Sequence, residues 1–192
     1  MSAPARISGY RIEGHAIVSE DERIAGPDGR PAEGAQQRGR LAPLPGRARR
    51  GGGRPAWQAQ PRSQSNRHRR NRLVVSSSAG GVERRGDDGW WWNPAEAPLG
   101  VALKSAAPEG GIVAVPGGHL VFDLLLKTGF DAFHLARMAG VRLPGGVPLF
   151  SAIDAGWSAA DVLAGSGLRP GPVEVLDAAA GVTLVTWRPS AH

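Results

Sequence analysis

The sequence predicts a single α/β domain, a central sheet with helices on its faces, because short strands alternate with helical segments along most of its 192 residues. The strand segments are β-branched apolar runs too short for helices. One of them, at 112–115, is followed by two glycines and then directly by a helical segment. Residues 31–70 interrupt this pattern with a tract of very different composition.

The arginine-rich tract, Arg38 to Arg72, carries the positive charge of the chain. It contains 11 arginines and no Asp, Glu or Lys, whereas the other 12 basic residues are outnumbered by 17 acidic ones. From Pro31 to Arg72 there is no Val, Ile, Phe, Met or Tyr, so no helical or strand period exists. Such a segment buries too little surface to offset its ordering entropy, and we expect 31–70 to be disordered.

The composition also restricts the compartment. Cysteine is absent, which excludes disulfides and thiolate metal sites. The first residues lack the apolar run of a signal peptide, and no stretch approaches the ~20 apolar residues of a membrane span. We therefore expect a cytoplasmic protein that does not bind membranes, and we predict no metal site.

The predicted elements follow one another in a regular order. Ile12 to Val18 forms a strand that runs into a polar loop, and Gly26 to Gly29 forms a turn. At least one of the three tryptophans at 90–92 should be buried, because consecutive strand residues point to opposite faces. The later elements are strands at 73–78, 90–92, 112–115 and 130–137, helices at 95–106, from 119 onward and at 158–164, and a closing hairpin of 174–176 with 182–187.

The sharpest local signal is VPGGHLVF at 115–122, where a buried strand stops at two glycines and turns directly into a helix. Gly117 and Gly118 would let the backbone approach a ligand and would aim helix amides at a phosphate or diphosphate. The alternative is that they only form a tight joint, since a glycine pair is a weak signal. His119 is then either close to the ligand or an ordinary surface histidine.

At this turn the chain resembles the dihydrofolate reductase family and its relative, the reductase domain of riboflavin biosynthesis. In that family a strand ends in a Gly-Gly pair joined by a cis peptide, followed two residues later by an apolar and an aromatic residue, here Val121 and Phe122. The resemblance implies a mixed central sheet flanked by helices, with NADPH as cofactor. It implies that Gly117 and Gly118 contact the nicotinamide end and the diphosphate.

The resemblance covers about residues 7–30 and 71–188. Residues 71–78, NRLVVSSS, look like the element that holds the adenosine 2′-phosphate. Ser19, Asp21, Ile24 and Ala25 fit the loop beside the nicotinamide, and Glu22 stands where glycine is usual, so we expect that loop to be distorted. The implied cofactor-binding residues are Ala16, Ile24, Ser76, Ser77, Ser78, Val115, Gly117, Gly118, His119, Leu120, Val121 and Phe122.

The implied activity is hydride transfer from NADPH to a C=N bond of a pterin or pyrimidine-type substrate, as in folate metabolism. In the family, a substrate helix with an acidic residue, a second strand and a Gly-Arg turn fall in the interval that the arginine-rich tract fills here. No residue from Gly34 to Val82 is acidic, so no catalytic residue is assigned. We expect weak activity for this reason.

A change of reading frame would explain the replacement. Residues 36–45, QQRGRLAPLP, can be encoded so that the frame one base later reads NNEADWRRFQ, and residues 46–64 similarly yield AALDAAAVVLRGRLSHEA. These contain a helix, an apolar strand and a Gly-Arg turn in the family's order, although free codon choice inflates the agreement. We hypothesise that about 35 to 40 residues are translated out of frame, the alternative being a genuine insert.

The alternative function is nucleic-acid or polyanion binding through the arginine-rich tract. Eleven arginines without acids would bind phosphates in a steeply salt-dependent way. Against this, only Trp57 lies among the arginines as a stacking side chain, and no known binding module is recognisable. We expect a small-molecule substrate as the partner and leave a homodimer open.

Overall fold

Three β-sheets and three α-helices make up the part of the chain that the computed structural model describes, residues 6–31, 57–58, 71–86 and 89–190. The largest sheet has six strands in the order β10-β11-β8-β1-β7-β3. The strands are β1 (Tyr10–Val18), β2 (Arg23–Ala25), β3 (Trp57–Gln58), β4 (Leu73–Val75), β5 (Val82–Arg84), β6 (Trp90–Trp92), β7 (Gly111–Val115), β8 (Ala132–Met138), β9 (Val147–Pro148), β10 (Leu168–Asp177) and β11 (Val182–Pro189).

Strand β1 is at the centre of the large sheet. It runs parallel to β7 on one side and to β8 on the other. Strand β11 is antiparallel to both of its own neighbours, β8 and β10. Side chains of β1 alternate between fully and partly buried, with Ile12, Ala16 and Val18 directed into the main core. The sheet is therefore mixed, as the sequence predicts.

A smaller sheet contains β4, which pairs with β6 in parallel, and β5, which pairs with β6 in an antiparallel manner. Among the described strands, none pairs with the other edge of β4. On the outer edge of β7, β3 pairs at only two positions, Trp57 with Val113 and Gln58 with Ala114. The large and small sheets therefore remain separate.

Within the tract predicted to be disordered, the structure describes only this two-residue strand, Trp57–Gln58. Extended residues beside an open sheet edge can pair through their backbones regardless of how polar their neighbours are. The other residues of 32–70 lie outside the described part of the chain.

The helices are α1 (Leu99–Ala106), α2 (His119–Thr128) and α3 (Ala159–Gly165), and a 3-10 helix spans Ser151–Ala155. The first begins four residues later than predicted, because a residue before proline disfavours helical backbone and Pro98 caps the helix. Asn93 instead folds residues 93–97 into turns, accepting backbone hydrogen bonds from Glu96 and Ala97. No helix in the described ranges is long and apolar enough to cross a membrane.

The four phenylalanines of the chain, of which Phe122 belongs to α2, pack together. The ring centroids of Phe122 and Phe133 are 5.2 Å apart, and those of Phe130 and Phe133 are 5.1 Å apart in an edge-on arrangement. Phe150 completes this aromatic cluster at 5.6 Å from Phe133. Gly14 of β1 lies against the cluster, because a Cβ there would be 2.3 Å from Phe133 Cδ2.

Outside the arginine-rich tract, sequence reasoning missed four short elements of the described residues: β2, β5, β9 and the 3-10 helix. None has enough residues to establish a period, so they depend on the pairing of β5 with β6 and of β9 with β2. The prediction for the tryptophan strand is confirmed, since Trp92 is 3% exposed and packs in the core. Strand β10 is longer than predicted because its pairing with β11 continues to Leu168.

Candidate functional site

The turn between β7 and α2 has the geometry expected of a backbone anion site. Val115 ends β7 in the core, and Gly118 caps α2 with φ 88° and ψ 108°, a conformation that favours glycine. No side chain caps the helix and its first turn has no acidic residue. A Cβ at Gly117 would meet no atom within 4 Å, so the space beside the turn is open.

The family pattern implies a cis peptide between Gly117 and Gly118, but the described residues contain only trans peptides. Here the chain changes direction through the positive φ of Gly118 instead. After the turn, the side chain of Leu120 is 68% exposed, whereas Phe122 is fully buried in the aromatic cluster. Phe122 therefore fixes the position of α2 by packing against Phe133.

The serines after β4 form a compact hydrogen-bonded turn. Ser76 is buried, and its Oγ accepts a bond from the backbone N–H of Ser78 at 3.2 Å and lies 2.9 Å from Ser78 Oγ. Ser77 and Ser78 are exposed. The structure thus leaves two hydroxyl-bearing residues at the surface, held by a buried third one.

Arg85 joins these serines, a residue that sequence reasoning did not single out. Its Nη1 donates to Ser78 Oγ at 3.0 Å and its Nη2 donates to the Ser78 carbonyl at 2.6 Å. The guanidinium lies 4.6 Å from the ring centroid of Trp91 and also pairs with Glu83. The sequence shows that Arg84 and Arg85 closely follow Val82, but the contact of Arg85 with Ser78 depends on the pairing of β5 with β6.

A small apolar hollow of about 30 Å³ lies between the two sheets. Val75, next to Ser76, borders it together with Val115 and Val121, which flank the two glycines. The serine turn and the glycine turn therefore both adjoin residues that line this hollow. All residues that line it are apolar, so the hollow itself is a packing gap and not a nucleotide pocket. The lining residues are Ile12, Leu73, Val75, Trp92, Leu99, Leu103, Val113, Val115, Val121 and Leu125.

In the loop after β1, Glu22 stands where the family pattern has glycine. Glu22 adopts a φ of 61°, the left-handed conformation that glycine would favour. Its carboxylate accepts a bond from Arg137 Nη2 at 2.7 Å and another from the N–H of Ala159 at 2.7 Å. Asp21 is fixed as well, because Ser19 Oγ donates to its Oδ1 at 2.6 Å.

We expect Glu22→Ala to lower the free energy of unfolding by about 2 kcal/mol, because both charged hydrogen bonds are lost while the strained backbone remains. Glu22→Gly loses the same bonds but relieves the strain, so it should be about 1 kcal/mol more stable than the alanine variant. Urea denaturation of the two variants measures the difference. An alanine variant as stable as the glycine variant would contradict a strained Glu22.

Glu13, His15 and His134 lie together on the sheet face that points away from the aromatic cluster. Burial, followed by the charge of His134, lowers the pKa of His15 to about 4. A hydrogen bond with His134 lowers the pKa of Glu13, aided by Arg11 and opposed by burial. Glu13 is therefore ionised and His15 neutral near pH 7.

The solved structures that share this fold include the following three proteins. A protein assigned to riboflavin biosynthesis from Shewanella sp. PV-4 has a TM-score of 0.53 and 16% identity, over 94% of this chain and 99% of that one. A diaminohydroxyphosphoribosylaminopyrimidine deaminase/5-amino-6-(5-phosphoribosylamino)uracil reductase from Thermotoga maritima has a TM-score of 0.56 and 16% identity, over 94% and 57%. A dihydrofolate reductase from Enterococcus faecalis, complexed with NADP(H) and a ligand named RAB-propyl, has a TM-score of 0.54 and 11% identity, over 94% and 97%.

The predicted fold class is thereby confirmed: the chain has the dihydrofolate-reductase-like fold. It spans little more than half the length of the T. maritima protein. No family model and no curated protein sequence matches the chain. At these identities the likeness concerns the fold, and function has to be argued from the site.

Proposed function

We propose that this protein is an NADPH-dependent reductase that transfers hydride to a C=N bond of a pterin or pyrimidine-type substrate. The observation that carries the proposal is the pair of turns bordering one gap in this fold, an uncapped glycine turn at Gly117–Gly118 and a serine turn with Arg85. NADPH has two groups of anionic oxygens, the diphosphate and the 2′-phosphate, and these two turns offer donors suited to each.

The residues present fit the cofactor in their donor chemistry. The open space beside Gly117 admits a ligand close to the backbone, and the first amides of α2 have no competing side chain. At the other turn, Ser77 and Ser78 are exposed and Arg85 is held by stacking on Trp91. NADPH would supply the hydride, while the chain supplies binding and orientation.

The other residues proposed to bind the cofactor lie on β1, on β2 and at the start of α2. Ala16 lies on β1 beyond the end of its pairing with β7 and opposite Leu135 of β8, and Ile24 lies on β2 after the Ser19 loop. His119 and Leu120 open α2, with Val121 beside the hollow.

The test is a fluorescence titration of the purified full chain with NADPH at two salt concentrations. We expect saturable binding at both, since a site of oriented amides and hydroxyls depends less on ionic strength than binding to a row of arginines. Single-stranded DNA serves as the control ligand. Salt-sensitive DNA binding without NADPH binding would contradict the proposal.

Arg85→Gln should weaken NADPH binding about 10-fold or more and leave NADH binding nearly unchanged, because the guanidinium is proposed to meet only the 2′-phosphate. The matched control is Arg169→Gln, an exposed arginine at the start of β10 that donates to the carbonyls of Ala164 and Leu168. The ratio of the two dissociation constants is the measurement. Equal losses for NADPH and NADH in Arg85→Gln would assign Arg85 a structural role instead.

Turnover is expected to be low. The segment from Gly34 to Val82 contains no carboxylate to deliver a proton to the substrate, and protonation must accompany hydride addition to a C=N bond. Sequencing the gene across codons 30–72 tests the reading-frame hypothesis, which an uninterrupted frame shared with close relatives would exclude.

A further inference from the structure

Three neighbouring strands place four polar side chains in one patch on the large sheet. His15 of β1, His134 of β8 and Thr186 of β11 are direct register partners across the sheet. Glu13 lies two residues before His15 and therefore shares its face. Next to this row, Ile17, Ala136 and Leu184 form an apolar layer, so the polar group is a local exception on that face.

The distances within the patch are those of a nearly assembled coordination site. One ligand atom from each of Glu13, His15 and His134 lies within 4.8 Å of the others, and His134 Nε2 is 3.8 Å from Glu13 Oε2. The two imidazole rings are stacked at 4.6 Å with an interplanar angle of 12°. Zinc–nitrogen and zinc–oxygen bonds of roughly 2.0–2.2 Å at tetrahedral angles need ligand atoms about 3.3–3.6 Å apart. Because an imidazole nitrogen donates in the plane of its ring, one of the two stacked rings must turn about its side-chain bonds for both nitrogens to point at one ion. That rotation, together with the approach of the ligand atoms to about 3.3–3.6 Å, closes the site.

The groups behind these ligands hold two of them in the required orientation. Thr186 Oγ1 lies 3.2 Å from His134 Nδ1, which leaves His134 Nε2 facing the carboxylate. Arg11 Nη2 is 3.3 Å from Glu13 Oε1, which leaves Oε2 facing the histidines. The side chains of Glu13 and His134 are only 15% and 12% exposed, so little solvent competes with a bound ion. Such outer partners typically fix the tautomer and direction of metal ligands.

We propose that Glu13, His15 and His134 bind one divalent transition-metal ion, with zinc as the best match. Two imidazoles and one carboxylate form a donor set that favours zinc over magnesium or calcium, which prefer oxygen ligands alone. Three protein ligands leave a fourth position for water or a small anion. The site is distinct from the glycine and serine turns, and its occupancy does not depend on the proposed reductase activity.

The test uses the full chain after treatment with EDTA, titrated with Zn²⁺ in competition with a chromophoric chelator. We expect one ion per chain and, with Co²⁺, the visible absorption bands of a tetrahedral site. Glu13→Gln and His134→Gln should each weaken binding at least 100-fold. His119→Gln is the matched control, a histidine outside the patch, and should leave the metal affinity unchanged.

A second variant distinguishes coordination from a general effect on folding. Thr186→Val keeps the shape of the buried side chain but removes the hydroxyl that orients His134, and should weaken Zn²⁺ binding about 10-fold while shifting the Co²⁺ bands. Far-ultraviolet circular dichroism verifies that each variant is folded. Absence of saturable Zn²⁺ binding, or equal affinity in the wild type and His134→Gln, would overturn the proposal.

Discussion

Replacing Gly118 with alanine is expected to weaken NADPH binding about 10- to 100-fold. Gly118 has φ 88° and ψ 108°, and an L-residue there costs of order 1–3 kcal/mol. The added methyl would also lie 3.4 Å from Val121 Cγ2, at the tight limit of packing. Relaxation of this strain moves the first amides of α2, the donors proposed for the diphosphate, and each 1.4 kcal/mol lost is a factor of ten in affinity.

Gly156→Ala is the matched control for this substitution. Gly156 has φ 90°, caps the 3-10 helix, and a Cβ there would meet nothing within 4 Å. Both variants should lose a comparable amount of stability in urea denaturation, but only Gly118→Ala should lose NADPH affinity in the fluorescence titration. Unchanged NADPH affinity in a folded Gly118→Ala protein would remove the glycine turn from the cofactor site.

Gly14→Ala is expected to produce the largest loss of stability, about 3 kcal/mol. The new Cβ would lie 2.3 Å and 2.5 Å from two ring carbons of Phe133 and 3.2 Å from Phe130 Cε1. Phe133 is fully buried between Phe122, Phe130 and Phe150, so its ring has no space into which to retreat. Overpacking of a dense core costs roughly 1–3 kcal/mol, and this contact is at the severe end.

The control is Gly100→Ala in α1, where the nearest atom to a new Cβ is Ile7 Cγ2 at 3.9 Å. That variant should gain up to about 1 kcal/mol, because alanine favours helix. Combining Gly14→Ala with Phe133→Leu should cost less than the sum of the single changes, since the smaller side chain relieves the contact. Strict additivity in urea denaturation would mean that Gly14 and Phe133 do not meet as described.

Regular elements with long apolar runs were predictable because period and length suffice to identify them. The strand at Ile112, the glycine turn and the following helix lie as predicted, since a β-branched run, two glycines and an amphipathic segment are local signals. The start of α1 was predicted four residues too early because the helical period outweighed the effect of Pro98. Strand β5 could not be found from its three residues alone.

The residues of the candidate site also fall into two groups, those that the sequence indicates and those that only the fold brings together. Gly117, Gly118 and the three serines are visible in the sequence because each group is contiguous, whereas Arg85 reaches Ser78 only through the pairing of β5 with β6. At Glu22 the sequence marks an unusual residue, but only the fold shows that Arg137 and the Ala159 amide stabilise its left-handed backbone.

The sequence by itself determined the α/β class, the order of the main strands and helices, and the contrast between an acidic framework and an arginine-rich tract, because composition and periodicity are local properties. Only the tertiary structure decided which distant residues meet. His15 and His134 are separated by 119 positions and become neighbours because β1 and β8 pair in one particular register. Register depends on packing across the whole sheet, which a local pattern does not contain.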